Sequence, residues 1–362
     1  MDVMSVATFA AGLVLLIGGA EALVRGAVRL AAAVGVSSLV IGLTVVAFGT
    51  SAPELAVGVQ AGLAGRPDIV LGNVVGSNIC NVLLILGLSA LITPLRVSQQ
   101  LVRLDVPLMV GVSFAMLLLA LDGRIGRMDG LLLFAGVVIY TVWSIRESRR
   151  ENRLQEDYAE EFSVSENRSP VRWVMDIGLI LVGFVLLRFG SRWLVEGAVH
   201  MAEMWGVNQL VIGLTVVALG TSLPELATSV VASIHGARDL AVGNVVGSNI
   251  FNILSVLGLT SLVSPSGVRV SSAALGFDIP VMIAVAVACL PVFFTGNIIA
   301  RWEGGLFLGY YIAYIVYLVL DAVNHAALAA FSAVMMTFVI PLTVITFMIL
   351  IVRTVRQRRR GE

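Results

Sequence analysis

Long apolar stretches, separated by short polar breaks, follow one another along almost the whole chain. A helix needs about 20 consecutive apolar residues to cross the hydrocarbon core of a bilayer. Eleven windows approach or exceed that length, at residues 5–30, 38–64, 69–92, 101–121, 129–145, 173–199, 209–234, 240–263, 273–295, 303–321 and 327–352. This pattern predicts an all-α polytopic membrane protein.

The composition agrees with the hydropathy pattern. Of the 362 residues, 58% are hydrophobic and only 13% are charged, whereas soluble domains carry about 25% charged residues. The net charge is zero, so the chain offers no basic surface for nucleic acid. Cys80 and Cys289 both lie in apolar windows, where they indicate neither a disulfide framework nor a thiolate metal site.

One long polar stretch interrupts the apolar windows. Residues 146–172 are dense in both charge signs, which predicts a charged cytoplasmic linker between two halves. All 23 basic residues are arginines, and with the N-terminus outside 17 of them fall on the inner side, including those of the basic cytoplasmic tail 353–362. The positive-inside rule therefore predicts an outer N-terminus and a cytoplasmic C-terminus in the plasma (cell inner) membrane.

The chain contains an internal repeat. Residues 42–92 align without gaps with residues 213–263 at a constant offset of 171, and 31 of the 51 positions are identical. Each half, 1–145 and 173–321, holds five windows. Because five is odd, the second half enters from the opposite face of the membrane. The sequence thus predicts two inverted five-helix repeats plus one extra C-terminal helix at 327–352, a plan typical of secondary transporters with a central substrate site.

Each repeat carries the motif Gly-Thr-Ser-x-Pro-Glu inside an apolar window, ending at Glu54 and at Glu225. A carboxylate at this depth costs about 3 kcal/mol or more and is a functional-site hypothesis by default. The proline breaks the helix, and Ser51 with Glu54 fits the capping box that would restart it. Such a break frees backbone carbonyls, for instance near Ala47, which can bind a cation. We therefore predict broken core helices that bring both glutamates to one site.

A second motif, Gly-Asn-x-x-Gly-Ser-Asn-x-x-Asn, begins at Gly72 and recurs 171 residues later. Helical periodicity places Ser77 and Asn81 on one face, and Ser248 and Asn252 on the equivalent face of the second copy. Opposite a pair of glutamates, these side chains are predicted to be oxygen ligands. Oxygen-only ligands favour hard cations such as Ca²⁺, Mg²⁺, Mn²⁺ or Na⁺. No cofactor is expected, and the ion is the cargo.

At these motifs the chain resembles the cation/Ca²⁺ exchanger superfamily, specifically the prokaryotic sodium/calcium exchanger type. The resemblance implies Na⁺-driven Ca²⁺ extrusion by alternating access, with the first and sixth helices sliding over a fixed core. It also implies a set of metal-binding residues. These are the Ala47 carbonyl, Thr50, Ser51, Glu54, Ser77 and Asn81 from the first repeat, and the Ala218 carbonyl, Thr221, Ser222, Glu225, Ser248 and Asn252 from the second.

Three positions bear on the coupling ion within that superfamily. Asn252 is an aspartate in some members, including K⁺-dependent ones, so asparagine here argues against a K⁺ requirement. The proton-coupled branch carries a glutamate in its Gly-Asn-x-x-Glu motif, where this chain has Gly76 and Gly247. The resemblance therefore favours Na⁺ coupling.

Other assignments stay open from the residues alone. A Ca²⁺/H⁺ antiporter would use a membrane-embedded glutamate as its proton carrier, and a cation channel would use the same oxygens as a filter. An intramembrane protease would require catalytic aspartates in place of these glutamates. We predict a transporter and not an enzyme, with Ca²⁺, Na⁺ and the lipid bilayer as its partners. The sequence leaves the oligomeric state open.

Two further groups of charged residues are predicted to be structural. The i,i+4 pairs Glu21–Arg25 and Arg192–Glu196 should form local ion pairs. Asp105 and Asp278 each precede a proline by two residues, near the end of an apolar window. We expect both aspartates to lie at the membrane interface.

Overall fold

The computed structural model is almost entirely helical. It describes residues 3–159, 170–205, 218–294 and 297–360. Within these ranges nine helices are long and apolar enough to cross a membrane, and one bent pair of shorter helices forms a tenth span. The predicted window 209–234 lies partly outside the described residues, and its described part holds a shorter apolar helix. The predicted all-α polytopic class is confirmed.

The helices follow the predicted windows closely. In chain order they are α1 (Val3–Val34), α2 (Ser38–Ile41), α3 (Ala47–Thr50), α4 (Ala52–Leu63), α5 (Pro67–Cys80), α6 (Gly87–Ile92), α7 (Val106–Ala120), α8 (Arg127–Ala159), α9 (Pro170–Met204), α10 (Ala218–Gly220), α11 (Leu223–Ile234), α12 (Arg238–Phe251), α13 (Gly258–Val263), α14 (Ile279–Phe294), α15 (Arg301–Ala322), α16 (Ala327–Val334) and α17 (Ile340–Arg360). Wider π-helical turns join several of them, at Gly42–Val46, Asn81–Leu86, Leu101–Asp105, Asn252–Leu257, Ala274–Asp278 and Met335–Val339.

Short strands connect the two halves of the chain. The strands are β1 (Leu95–Arg96), β2 (Arg124–Ile125), β3 (Val268–Arg269) and β4 (Ile298–Ile299). β1 pairs with β4 and β2 pairs with β3, both antiparallel. Each pair therefore takes one strand from the first half and one from the second.

The helices α1 and α9 pack against each other along a seam of glycines. A methyl group added at Gly19 would lie 2.7 Å from the backbone nitrogen of Leu187, and one at Gly26 would lie 2.9 Å from the Asp176 carbonyl oxygen. From Gly19 to Gly26 along α1, the contacted residue on α9 moves back from Leu187 to Asp176. The two helices therefore run antiparallel. Antiparallel packing of two equivalent helices is the arrangement that an inverted repeat requires.

The centre of the protein is formed by α5 and α12, the helices that carry the repeated Gly-Asn-x-x-Gly-Ser-Asn motif. Asn78 Nδ2 donates to the Asn249 carbonyl at 3.3 Å, and Asn249 Nδ2 donates to the Asn78 carbonyl at 3.4 Å. The two residues are related by the offset of 171, so the contact is reciprocal. The paired amides thus join these two helices, whereas Gly243 and Gly247 of α12 allow the backbone near Leu39 and Leu43 to approach closely.

The ends of the predicted linker and of the extra helix differ from expectation. α8 continues to Ala159 and α9 begins at Pro170, so the two ends of the 146–172 segment are helical, and 160–169 lies outside the described residues. α17 likewise continues through the predicted basic tail to Arg360. A run of helix-forming arginine and glutamate residues explains both extensions, because these side chains lose little rotamer freedom in a helix. The proposed division into domains stays a prediction.

The charged residues outside the central motifs follow the predictions only in part. Glu21 forms an ion pair with Arg25, and Arg192 Nε lies 2.7 Å from Glu196 Oε1, which confirms both local pairs. Asp105 is fully buried within the protein, and Tyr140 on α8 donates a hydrogen bond of 3.1 Å to Asp105 Oδ1. The interfacial position of both aspartates stays a prediction.

Candidate cation site

Both glutamate motifs lie at a break between two helices. The span of α2 to α4 bends by 45°, and Ser51 at the break has a ψ of 7°, outside the helical range. Ser222 has a ψ of 5° at the equivalent break before α11. Proline occupies the first turn of each restarted helix, where its missing N–H leaves no bond unmade. The predicted broken core helices are therefore present.

The serines at the two breaks do not cap their own helices. Ser51 makes no side-chain capping bond, so the capping box expected with Glu54 is wrong. Instead Ser51 Oγ donates to Glu225 Oε1 at 3.0 Å, and Ser222 Oγ donates to Glu54 Oε1 at 3.3 Å. Each serine thus bonds the glutamate of the other repeat. A bond to a carboxylate is stronger than one to a backbone amide, which explains the preference.

The two carboxylates are buried together at the centre of the protein. The side chains of Glu54 and Glu225 are each 1% exposed and lie close enough to interact electrostatically. Their second oxygens, Oε2 in both cases, have no hydrogen-bond partner among the described residues. Two neighbouring buried carboxylates with unpartnered oxygens are costly unless a positive charge joins them.

Two asparagines add further unpartnered oxygens to this region. Asn81 Nδ2 donates to Asn249 Oδ1 at 2.9 Å, and Asn252 Nδ2 donates to Asn78 Oδ1 at 3.0 Å. These bonds occupy the amide nitrogens, while Oδ1 of Asn81 and Oδ1 of Asn252 are buried without a partner among the described residues. Both asparagines begin a π-helical segment, a distortion that often marks functional sites.

Hydroxyl groups complete the oxygen-rich surroundings. Ser222 Oγ also lies 3.3 Å from Ser77 Oγ, which brings Ser77 next to the Glu54 carboxyl. Ser248 is fully buried, and it interacts with the Glu225 carboxyl. The half-buried Thr221 interacts with the Glu54 carboxyl.

The two predicted carbonyl ligands differ from each other. The Ala47 carbonyl accepts the Ser51 N–H at 3.0 Å and the Thr50 hydroxyl at 3.4 Å, so it is bonded and not free. In the second repeat the Ser222 N–H donates to Leu219 at 3.1 Å, three residues back, and not to Ala218. A carbonyl oxygen has two lone pairs, so a role for either carbonyl as a ligand stays a prediction.

Four asparagines that hold the site together were not among the predicted ligands. Asn73 Nδ2 donates to the Glu54 backbone carbonyl at 2.9 Å, and Asn244 Nδ2 donates to that of Glu225 at 3.4 Å. The other two are Asn249 and Asn78, which accept hydrogen bonds from the side-chain amides of the predicted ligands Asn81 and Asn252. All four lie in the repeated motif and are related by the offset of 171 within this chain. This repetition was the signal in the sequence that could have identified them.

The donor set fits a transported cation better than a tightly held one. The described residues contain no cluster of three or more histidine, cysteine, aspartate or glutamate side chains. Two carboxylates among neutral amide, hydroxyl and carbonyl oxygens match the preference of Ca²⁺ for six to eight oxygen ligands. Fewer charged ligands also bind Ca²⁺ less tightly, and a carrier must release its ion.

Comparison with known proteins agrees with this site. The family model "Sodium/calcium exchanger protein" matches residues 4–146 and 175–320. The CaxA protein of Alkalimonas amylolytica is 41% identical over 282 residues, covering 77% of this chain and 86% of the relative. The sodium/calcium exchanger MaX1 of Methanosarcina acetivorans is 34% identical over 338 residues, covering 85% of this chain and 96% of the relative.

Solved structures show the same likeness in three dimensions. A structure of the sodium-calcium exchanger NCX_Mj superposes with a TM-score of 0.74 at 32% sequence identity, covering 87% of this chain and 99% of that one. The family consists of transporters and not enzymes, and its cargo ions, Ca²⁺ and Na⁺, fit the oxygen ligands described above. The chain therefore belongs to the sodium/calcium exchanger family and is a multi-pass integral membrane antiporter of Ca²⁺ and a second cation.

Proposed function

We propose that the chain exchanges Na⁺ for Ca²⁺ by alternating access around one central site that contains Glu54 and Glu225. The observation that carries this proposal is the reciprocal bonding of the two breaks, in which each serine donates to the glutamate of the other repeat. This bonding joins both repeats into one site, so neither repeat binds the ion alone. One Ca²⁺ or a small group of Na⁺ ions can neutralise the same two carboxylates, and exclusive occupancy by one or the other produces exchange.

The ligands that we propose are the twelve residues predicted from the sequence. The strongest support is for the carboxylates and for Asn81 and Asn252, because their buried oxygens are the ones without a partner among the described residues. Thr50, Ser51, Thr221 and Ser222 lie at the two breaks, and Ser77 and Ser248 lie on α5 and α12. The Ala47 and Ala218 carbonyls complete the proposed set.

Sodium is the coupling ion that the neighbouring residues and the relatives favour. Gly76 and Gly247 stand where proton-coupled members carry a glutamate, so these two positions supply no carboxylate as a proton carrier. MaX1 and NCX_Mj are both named sodium/calcium exchangers. A Ca²⁺/H⁺ antiporter is the second candidate, since a buried carboxylate can also bind a proton.

We propose that the protein lies in the plasma membrane, with its N-terminus outside the cell and its C-terminus in the cytoplasm. It rests on the arginine distribution, with 17 of 23 on the inner side. A single cysteine added at either terminus tests it in intact cells. A membrane-impermeant thiol reagent should label the N-terminal cysteine and spare the C-terminal one, whereas the reverse result contradicts the orientation.

The coupling ion is tested with the purified protein in proteoliposomes. Vesicles loaded with Na⁺ and diluted into Na⁺-free buffer should accumulate ⁴⁵Ca²⁺, and a protonophore should leave the uptake unchanged. A pH gradient without Na⁺ should drive no uptake. Uptake that follows the pH gradient and ignores Na⁺ contradicts Na⁺ coupling, and uncoupled flux that does not saturate contradicts exchange itself.

A further inference from the structure

An apolar cavity lies between the C-terminal helix α17 and the helices α14 and α15. Its volume is about 810 Å³, and its walls come from α14, α15, α16, the π-helical turn Met335–Val339 and α17. On α14 the wall contains the small residues Ala284 and Ala288. The volume lies within the range of about 300–1,000 Å³ that is typical of pockets for small-molecule ligands. Leu83 in the wall lies two residues from Asn81, but the lining includes none of the proposed ion ligands.

Two contacts hold α17 against α15 and leave the cavity between the helices. Tyr310 donates a hydrogen bond of 2.7 Å to Thr343 Oγ1. Nearer the start of α15, the rings of Trp302 and Phe347 stack with their centroids 6.1 Å apart. α15 is long and apolar enough to span a membrane, and so is the stretch Ala327–Leu350, which contains α16 and the first half of α17. The cavity between them therefore lies at the depth of the hydrocarbon core. An acyl chain is the component of the bilayer that matches its apolar walls.

Positive charge is concentrated at one end of the cavity. Arg301 is exposed at the first residue of α15, beside the Trp302–Phe347 stack. The chain continues beyond Phe347 as helix, and Arg353 follows about 9 Å further along the axis. Four more arginines follow, at positions 356, 358, 359 and 360. The opposite end of α15 carries Asp321.

We propose that this cavity binds one acyl chain of an anionic phospholipid whose head group lies at the arginine end. Clusters of about four to eight basic residues next to a membrane span attract anionic lipid head groups. The acyl chain fills the space that the protein leaves empty, and the phosphate balances Arg301 and the arginines of α17. The lipid thereby joins the C-terminal helix to the two repeats. This site is separate from the proposed exchange site.

The acyl-chain half of the proposal is tested by filling the cavity. The full chain is purified from vesicles of phosphatidylglycerol, and bound lipid is measured by native mass spectrometry. The parent protein should retain phosphatidylglycerol, Ala288→Phe should lose it, and Ala330→Phe should retain it, because Ala330 is exposed on α16 and does not line the cavity. Should Ala288→Phe fail to fold, Ala284→Phe provides the same test. Equal retention in the filled and control variants overturns the proposal.

The head-group half is tested by removing charge. A variant with Arg353, Arg356 and Arg358 changed to Gln should retain phosphatidylglycerol and phosphatidylcholine equally, whereas the parent should prefer phosphatidylglycerol. The matched control changes Arg124 and Arg127, two exposed arginines near β2, to Gln and should keep the preference. A parent without preference between the two lipids overturns the anionic head group. A parent that is a lipid-free dimer shows that a second copy of this chain covers the cavity, and it overturns the proposal as well.

Discussion

The helices α5 and α12 share the sequence Gly-Asn-Val-Val-Gly-Ser-Asn, yet they are buried to different extents. Gly243 and Asn244 on α12 are buried, and Asn244 is 0% exposed. Their equivalents on α5 differ, since Gly72 is exposed and Asn73 is half-buried. Over the most apolar 18 residues of each span, 72% of the first and 100% of the second are buried. Because the two sequences are identical at these positions, the difference arises from what packs against each helix. On α12, Gly243 packs against Leu39, whereas position 210, the equivalent of Leu39 in the second half, lies outside the described residues.

This difference indicates which side of the site is less covered. Asn73 donates to the Glu54 backbone carbonyl, so the less buried end of α5 lies beside the first break. A carrier that opened both sides at once would conduct freely, and alternating access therefore requires two repeats in unequal environments. Gly72 lies near the Arg66 end of α5, which the proposed orientation places outside. Because Glu54 and Glu225 are themselves buried, we infer a closed site whose outer side is the less covered one.

The largest effect is expected at the two glutamates. Although the two repeats are buried to different extents, substitution of either glutamate should have the same effect on transport. Glu54→Gln and Glu225→Gln should each abolish Na⁺-driven ⁴⁵Ca²⁺ uptake, because each removes one of only two charges that balance the ion. Glu196→Gln, at an exposed residue outside the site, should transport normally. Near-normal exchange by either site variant, at equal expression, contradicts a shared two-carboxylate site.

A smaller loss is expected at the asparagines that orient the ligand amides. Asn249→Ala leaves the Asn81 amide nitrogen without its partner, and Asn78→Ala does the same to Asn252. Leaving a buried polar group unpaired costs about 1–3 kcal/mol, which corresponds to about 5- to 150-fold weaker Ca²⁺ binding in titration calorimetry. The buried Ser113, which bonds within its own helix, supplies a control in Ser113→Ala.

Equal losses at the two asparagines would support the reciprocal geometry. If only one of them weakened Ca²⁺ binding, the ion would be held by one repeat, and the symmetric site would be wrong. If neither did, the amide oxygens of Asn81 and Asn252 would not be ligands.

Much of this site could be predicted from sequence because its signals are local or repeated. A proline followed by a glutamate inside an apolar window predicts both a broken helix and a costly charge, and the offset of 171 pairs the two breaks. The bonds of Ser51 and Ser222 could not be predicted in this way. Locally, Ser51 fits a capping box. Its actual partner, Glu225, is 174 residues away, and only the packing of the two repeats brings them together.

The asymmetry between the repeats was also beyond the sequence, for a different reason. The motif on α5 and α12 is the same, so nothing in it distinguishes the exposed copy from the buried one. Asp105 and Asp278 likewise share an Asp-x-Pro context, and they were predicted to behave alike. Their environments depend on which helices pack against them, and the two halves differ there.

The unequal burial of α5 and α12 can be tested by accessibility. A cysteine in place of Gly72 should react quickly with a membrane-impermeant thiol reagent added outside. A cysteine in place of Gly243 should react at about one tenth of that rate or below, because that position is exposed only in a minor conformation. The parent protein, whose Cys80 and Cys289 are buried, gives the background. Equal rates at the two positions would contradict the unequal burial of the two helices.

The smallest expected effect concerns the two aspartates, and it is a change in the free energy of unfolding and not in transport. Tyr140→Phe removes a hydrogen bond to the fully buried Asp105, which should cost about 1–3 kcal/mol because a buried carboxylate then loses a donor. Tyr314→Phe should cost less, because Tyr314 interacts with the half-buried Asp278 electrostatically and not through a described hydrogen bond. Thermal unfolding of both variants in detergent measures the difference. Equal shifts would mean that burial does not distinguish the two aspartates, and that the repeats differ only around the cation site.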